Sequence, residues 1–249
     1  MQSKTNTTRF SDRIDDYVKY RPLYPQQLIE ILKNKIAFNN SFVIADIGSG
    51  TGISSQLFIS NGNKVYGVEP NKQMREAAEL FFLKEKNFIT IDGTAEKTTL
   101  QENSIDIIFC GQAFHWFNRN LARIEFERIL KDDGHIVLAW NVRKQDDDFQ
   151  KEYEKMLQQI PGYNEVNHKN ISDEIIKDFF SPRIMHKESV ENSQVFNLKG
   201  LKGRLQSSSY FPKSGIEHED LMKKTESIFY KYEKNNTIKF LYETNMYWC

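Results

Sequence analysis

The chain has 249 residues, 39% hydrophobic and 27% charged, a composition that suits a folded globular protein with one large core. Lys+Arg and Asp+Glu each number 34, so the formal net charge is zero and no global field draws the chain to nucleic acid or to an anionic membrane. Cys110 and Cys249 form no metal-ligand cluster and predict reduced thiols, and the polar N-terminus without a spanning apolar run predicts a cytoplasmic protein that binds no metal and no membrane.

Along the chain, apolar runs of strand length alternate with helical patterns. Leu28, Ile29, Leu32 and Ile36 recur at helical spacing. Phe42 to Ile47 then reads as a buried strand, followed by a helix through Leu57 and Phe58. Lys64 to Glu69 is a second strand, and Asn71 to Phe82 has the Ala, Glu and Leu content of a helix. "NFITID" gives a third strand and Ser104 to Gly111 a fourth. A helix from Arg119 to Leu130 ends at "KDDGH", before a strand from His135 to Trp140. Beyond Trp140 the pattern predicts helices over about Asp147 to Gln159 and Ser172 to Phe180, and a strand over Ser189 to Leu198. A further helix over His218 to Glu233 and a closing strand in "TIKFLYETNMYW" complete the chain. This alternation predicts an α/β protein built on a doubly wound, mostly parallel sheet.

The stretch "VIADIGSGTG" places Gly48, Gly50 and Gly52 directly after the first strand. In a doubly wound sheet that turn faces the ligand, so the glycines predict backbone amides and a helix N-terminus held against an anionic or carboxylate-bearing group. A tight turn that needs glycine for geometry alone is the competing reading. Spacing narrows the ligand. Ile53 stands where a dinucleotide fingerprint has its third glycine, and Gly52-Ile53-Ser54 lacks the lysine of a phosphate-binding loop, which disfavours NAD and ATP. A nucleoside without pyrophosphate remains, with Glu69 at the end of the second strand able to accept both hydrogens of a ribose cis-diol.

These stretches, with "VYGVEPNKQM", "IDGTAEKTTLQENSIDIIFCGQAFHWF" and "RILKDDGHIVLAWNVR", resemble the successive motifs of the class I S-adenosylmethionine-dependent methyltransferases. "YVKYRPLYP" narrows the likeness to the small-molecule methyltransferase type 11 group, similar to trans-aconitate methyltransferase. The resemblance implies a single Rossmann-like methyltransferase domain with a seven-stranded, mostly parallel sheet. Residues 1–40 would form an N-terminal helical cap, 41–142 the cofactor-binding core, and 143–249 an acceptor-covering insertion after the fifth strand together with the last strands. It further implies S-adenosyl-L-methionine as cofactor, with Asp46, Gly48, Ser49, Gly50 and Gly52 at its methionine end and Glu69 on the ribose. Pro70 and Met74 would flank the adenine, Thr94, Ala95 and Glu96 would border its edge, and Gln112 would stand near the reacting sulfur. Thr94 replaces the aspartate of many relatives, so the adenine amino contact falls to backbone.

Methyl transfer from a sulfonium is an in-line displacement, which asks the protein to orient the reactants and exclude water. Phe114, Trp116, Trp140 and Asn141 stand where they would wall such a pocket, and Tyr17, Tyr20 and Tyr24 where they would close over the cation, although each aromatic reads equally well as core. His115 is the candidate general base for a hydroxyl acceptor, while Arg21 and Arg204 are candidates to hold a carboxylate acceptor, which needs no base. The expected function is methyl transfer to a small-molecule acceptor, on a carboxylate or hydroxyl oxygen, by a monomer or homodimer. A methyltransferase acting on RNA or protein, and a catalytically silent cofactor-binding module, are the alternatives.

Overall fold

The computed structural model describes residues 18–163 and 171–249. After helix α1 (Gln27–Ile36) the chain alternates β1 (Val43–Ile47), α2 (Ser55–Ile59), β2 (Lys64–Val68), α3 (Lys72–Phe81), β3 (Phe88–Ile91), β4 (Ile105–Gly111), α4 (Arg119–Ile129) and β5 (Leu130–Arg143). An insertion follows, α5 (Asp148–Leu157), α6 (Asp173–Phe180), β6 (His186–Phe196), α7 (Leu198–Gln206) and α8 (Ile216–Tyr232), before β7 (Ile238–Trp248). Seven strands form one sheet in the order β3-β2-β1-β4-β5-β7-β6. The first five strands in that order run parallel, and β7 is antiparallel to both β5 and β6.

The two halves of the sheet obey different burial rules. β1 and β4 have helices on both faces, so Ile44, Ala45, Ile107, Ile108 and Phe109 are all wholly buried, and their sequences read as continuous apolar runs. At the far edge β6 alternates exposed and half-buried residues, as an antiparallel strand with one covered face must. One core cluster fills the face under α4 and α6, another the face under α1 and α2, and a third lies within the insertion. Leu28, Ile29 and Leu32 of α1 are wholly buried, each contributing about 1.5–3 kcal/mol of burial free energy.

Helix starts follow the sequence. Asn71, Asn118, Asp147, Ser172 and Asn197 each accept a backbone N–H from three residues ahead. Two features differ from the sequence reading. "KDDGH" lies inside β5, because Leu130 pairs with Ile105 and His135 with Ile107, and the extra residues bulge out of the ladder. Helix α7 has no strong pattern, since LKGLKGRLQ carries two glycines that each cost about 1 kcal/mol of helix propensity. Packing demands one of them, as a Cβ at Gly203 would lie 2.1 Å from the Tyr20 ring.

Candidate functional site

The chain leaves β1 through a turn in which Gly48, Gly50 and Gly52 have φ of 72°, 57° and 87°, the left-handed region that favours glycine. Contact adds a second demand. A Cβ at Gly48 would lie 2.6 Å from the Ala113 methyl and one at Gly52 2.4 Å from the Phe82 ring, whereas one at Gly50 would meet only the Met74 sulfur at 3.6 Å. The expectation that the loop amides face a ligand is corrected. Gly48 and Ser49 N–H donate to the Val68 carbonyl (2.8 and 3.2 Å), Gly50 N–H to Glu69 Oε2 (3.0 Å) and Gly52 N–H to the Ser49 carbonyl (2.9 Å). The end of β2 needs donors, and the neighbouring loop supplies them. The helix that follows, α2, is only five residues long, so it offers little of the positive end expected of it.

Two buried carboxyls flank this loop. Asp46 Oδ2 accepts the hydroxyls of Ser54 (2.7 Å) and Ser55 (2.6 Å), while Asp46 Oδ1 and Thr51 Oγ1 are buried without a hydrogen-bond partner. Burial pushes the Asp46 carboxyl up to about 6, against the pull of the two serine hydroxyls. Glu69 also accepts the Asn71 N–H on Oε1 (2.8 Å), and burial raises it from the ordinary carboxylate range although both backbone donors oppose the rise. Each Glu69 oxygen thus keeps acceptor capacity for another donor. Met74 of α3 lies buried beside Gly50, half-buried Pro70 precedes the helix cap, and Thr94 is exposed in a turn closed on Lys97, with Ala95 buried behind it. Glu96 Oε1 is taken by the Asn118 N–H at 2.8 Å.

A cavity of about 490 Å³ opens beyond the carboxyl ends of β4 and β5, and Arg21, Gln112, Trp140, Asn141 and Arg204 all line it. Gln112, with φ of 54°, donates its N–H to the Ala139 carbonyl and accepts the Asn141 N–H on Oε1 at 2.5 Å, so it clamps the two strand ends together. The Asn141 amide contacts the carbonyls of Pro22 and Leu23 (3.4 and 3.5 Å), and the Asn192 amide donates to that of Leu23 (2.8 Å). These bonds strap the segment bearing Arg21 across the sheet end. Arg21 Nη2 donates to the Ser207 carbonyl at 2.9 Å.

Sequence reasoning missed the remainder of the cavity. Arg143 pairs with Glu154 (2.9 Å) and bonds the Tyr163 hydroxyl, which donates to the other Glu154 oxygen at 2.5 Å. Tyr210 lies 3.5 Å from Arg143 Nη1. Burial opposes ionisation of Tyr210, yet the Arg143 and Arg204 cations bring its phenol below the ordinary tyrosine range. Arg143 stands in the quoted "LAWNVR" stretch, but its partners come from three other stretches of chain. Only the charge itself was a signal.

Other predicted residues lie elsewhere. Tyr20 is buried in the insertion core with its ring against Gly203, and Tyr24 packs edge-on to Phe109 at 5.6 Å, because both follow the apolar faces they were equally suited to. Phe114 is wholly buried against Phe179 and Trp140. His115 and Trp116 sit half-buried in a short 3-10 turn, rings 4.8 Å apart, and line no part of the cavity. Tyr17 lies outside the described residues.

A family described as "Methyltransferase domain", of type 11, matches residues 45–138, the stretch from β1 through most of β5. An uncharacterized methyltransferase of Schizosaccharomyces pombe is 29% identical over 157 residues, covering 61% of this chain and 60% of the relative. Over residues 45–138 this chain carries a methyltransferase domain of the type 11 group. Matches to the first curated relatives span only 60%, 55% and 52% of their length. The solved structure of a type II methyltransferase assigned in Anaeromyxobacter dehalogenans superposes with a TM-score of 0.66 at 15% identity, covering 92% of this chain and 97% of that one. That of an S-adenosyl-L-methionine-dependent methyltransferase assigned in Methanococcus maripaludis gives 0.58 at 20% identity, covering 76% and 91%. These likenesses establish the methyltransferase fold. No helix of the methyltransferase domain or its insertion, among the described residues, is long and apolar enough to cross a membrane.

Proposed function

We propose that this protein is an S-adenosylmethionine-dependent methyltransferase that transfers a methyl group to an oxygen of a small-molecule acceptor held in the 490 Å³ cavity. The observation that carries this reading is adjacency. Ala113, which a Cβ at Gly48 would touch at 2.6 Å, directly follows the cavity-lining Gln112, so the glycine loop and the cavity meet at one strand end. The cavity volume suits a small ligand. The cofactor fits the residues present, since Asp46 Oδ1 and Thr51 Oγ1 lack partners, Gly50 leaves ordinary room, and Glu69 retains acceptor capacity. In this reading Asp46, Ser49, Gly50 and Glu69 hold the methionine and ribose parts, and Pro70, Met74, Thr94, Ala95 and Glu96 border the adenine. When bound, the cofactor supplies an electrophilic methyl group.

The chain's own part is orientation and exclusion of water. Trp140 and Tyr247, rings 5.8 Å apart and nearly perpendicular, line the cavity, while Gln112 fixes the end of β5. Arg21 and Arg204 favour an acidic acceptor, and such an acceptor would leave His115 without a role as base. Calorimetry tests the cofactor reading: S-adenosylhomocysteine gives a clear heat of binding and NAD gives none. The opposite pattern sinks it. On an acceptor found with labelled cofactor, Arg21→Met costs more rate than His115→Gln, and a larger loss from His115→Gln with a pH limb near 6–7 would favour a hydroxyl acceptor instead.

A further inference from the structure

Arg204 is a buried cation of the cavity that finds no opposite charge among the described residues. It is 7% exposed, and its hydrogen bonds go to hydroxyls, those of Tyr242 (3.3 Å), Ser207 (3.4 Å) and Ser208 (3.3 Å). Among the described residues no carboxylate lies within ion-pair distance of it, whereas Arg143 nearby has Glu154 at 2.9 Å. A buried guanidinium without a counter-charge is costly, and proteins meet that cost with a paired group or a ligand. The depressed Tyr210 phenol reports the same excess of positive potential at this wall.

Three other residues that line the same cavity present apolar surface. Trp140, Ile176 and Tyr247 are 6%, 1% and 6% exposed and belong to the core cluster under α4 and α6. The Trp140 indole N–H is itself buried without a hydrogen-bond partner, so the ring meets the cavity as an apolar surface. The cavity thus asks for an anion at Arg204 and for an apolar body along these rings and Ile176. We propose that the acceptor is a small amphipathic carboxylic acid, its carboxylate on Arg204 and its apolar body against Trp140, Ile176 and Tyr247. A planar monoanion matches one guanidinium fork, whereas a compact polyanion would leave the apolar wall uncovered. This rests on the cavity being the acceptor site.

The test is calorimetry on the intact chain saturated with S-adenosylhomocysteine, using 3-phenylpropionate, its neutral amide, succinate and inorganic phosphate as probes. The proposal expects 3-phenylpropionate to bind, its amide about ten- to a hundredfold more weakly for want of the charge, and succinate and phosphate more weakly than 3-phenylpropionate. Equal binding of acid and amide overturns the anion site. Tighter binding of succinate overturns the apolar body, and tighter binding of phosphate overturns the carboxylate. Binding of none of the four overturns the proposal outright. Arg204→Met should abolish the acid-over-amide preference while S-adenosylhomocysteine still binds; if that variant does not fold, the acid–amide comparison on the unmodified chain decides alone. Failure of S-adenosylhomocysteine to bind would instead strike the cofactor reading, so the two failures are separable.

Discussion

The glycine loop and the acceptor cavity are two answers to the same problem, how to hold polar groups inside a protein. Around the loop, backbone amides are satisfied on the next strand: Gly48, Ser49 and Gly50 give theirs to Val68 and Glu69. Around the cavity, side chains do this work: Arg143, Glu154, Tyr163, Arg204, Tyr210 and Tyr242 come from β5, α5, α7, β7 and the turns between and meet over separations of 9 to 67 residues. A local solution tolerates little change in backbone, and a long-range one tolerates little change in charge.

That contrast can be broken most forcefully at Glu154. Glu154→Ala strands the buried Arg143 and should cost about 3–5 kcal/mol of unfolding free energy in urea, the usual penalty for breaking a buried ion pair. A loss below about 1 kcal/mol would mean that the tyrosines alone satisfy the cation.

Asp46 offers a pH-resolved test of the loop side. Its folded value of about 6 lies above its ordinary value of 3.8, so between those values the native state holds more protons than the unfolded chain. Stability from this group is therefore present below pH 4 and is lost as pH rises to 6. Asp46→Asn should gain on the unmodified protein by up to roughly 3 kcal/mol between pH 4 and 7, read as the difference of two unfolding curves. A difference that stays flat with pH would show that the carboxyl is ionised throughout.

The backbone argument is sharpened by a pair of loop substitutions. Gly48→Ala combines left-handed strain with a 2.6 Å clash on Ala113. It should cost about 2–3 kcal/mol in urea unfolding, against about 1–2 kcal/mol for Gly50→Ala, which meets strain alone. Equal losses would remove the packing role of Gly48. Glu69→Ala should weaken S-adenosylhomocysteine binding by about 1.5–3 kcal/mol, ten- to a hundredfold. Unchanged affinity would end its ribose role. The smallest effect is expected at exposed Thr94, where Thr94→Ala should shift stability by no more than about 0.5 kcal/mol and leave cofactor affinity within about twofold, because only its backbone is in play.

The sequence by itself determined the sheet from β1 to β5, because parallel strands covered on both faces must be apolar runs and two of the helices between them, α3 and α4, carry their own caps. It also determined the glycine turn, since a left-handed backbone forces residue type where it occurs. It did not determine α7, whose Gly203 makes room for the Tyr20 ring, nor the reach of β5 through "KDDGH", which pairing with β4 decides. Nor could it divide Tyr20 and Tyr24 from Trp140, all aromatic and all buried, one of them against a cavity. Which cations share a space, and which of them lacks a counter-charge among the described residues, follows from contacts between residues as far as 186 positions apart; local pattern carries no trace of that, and only the tertiary structure decided it.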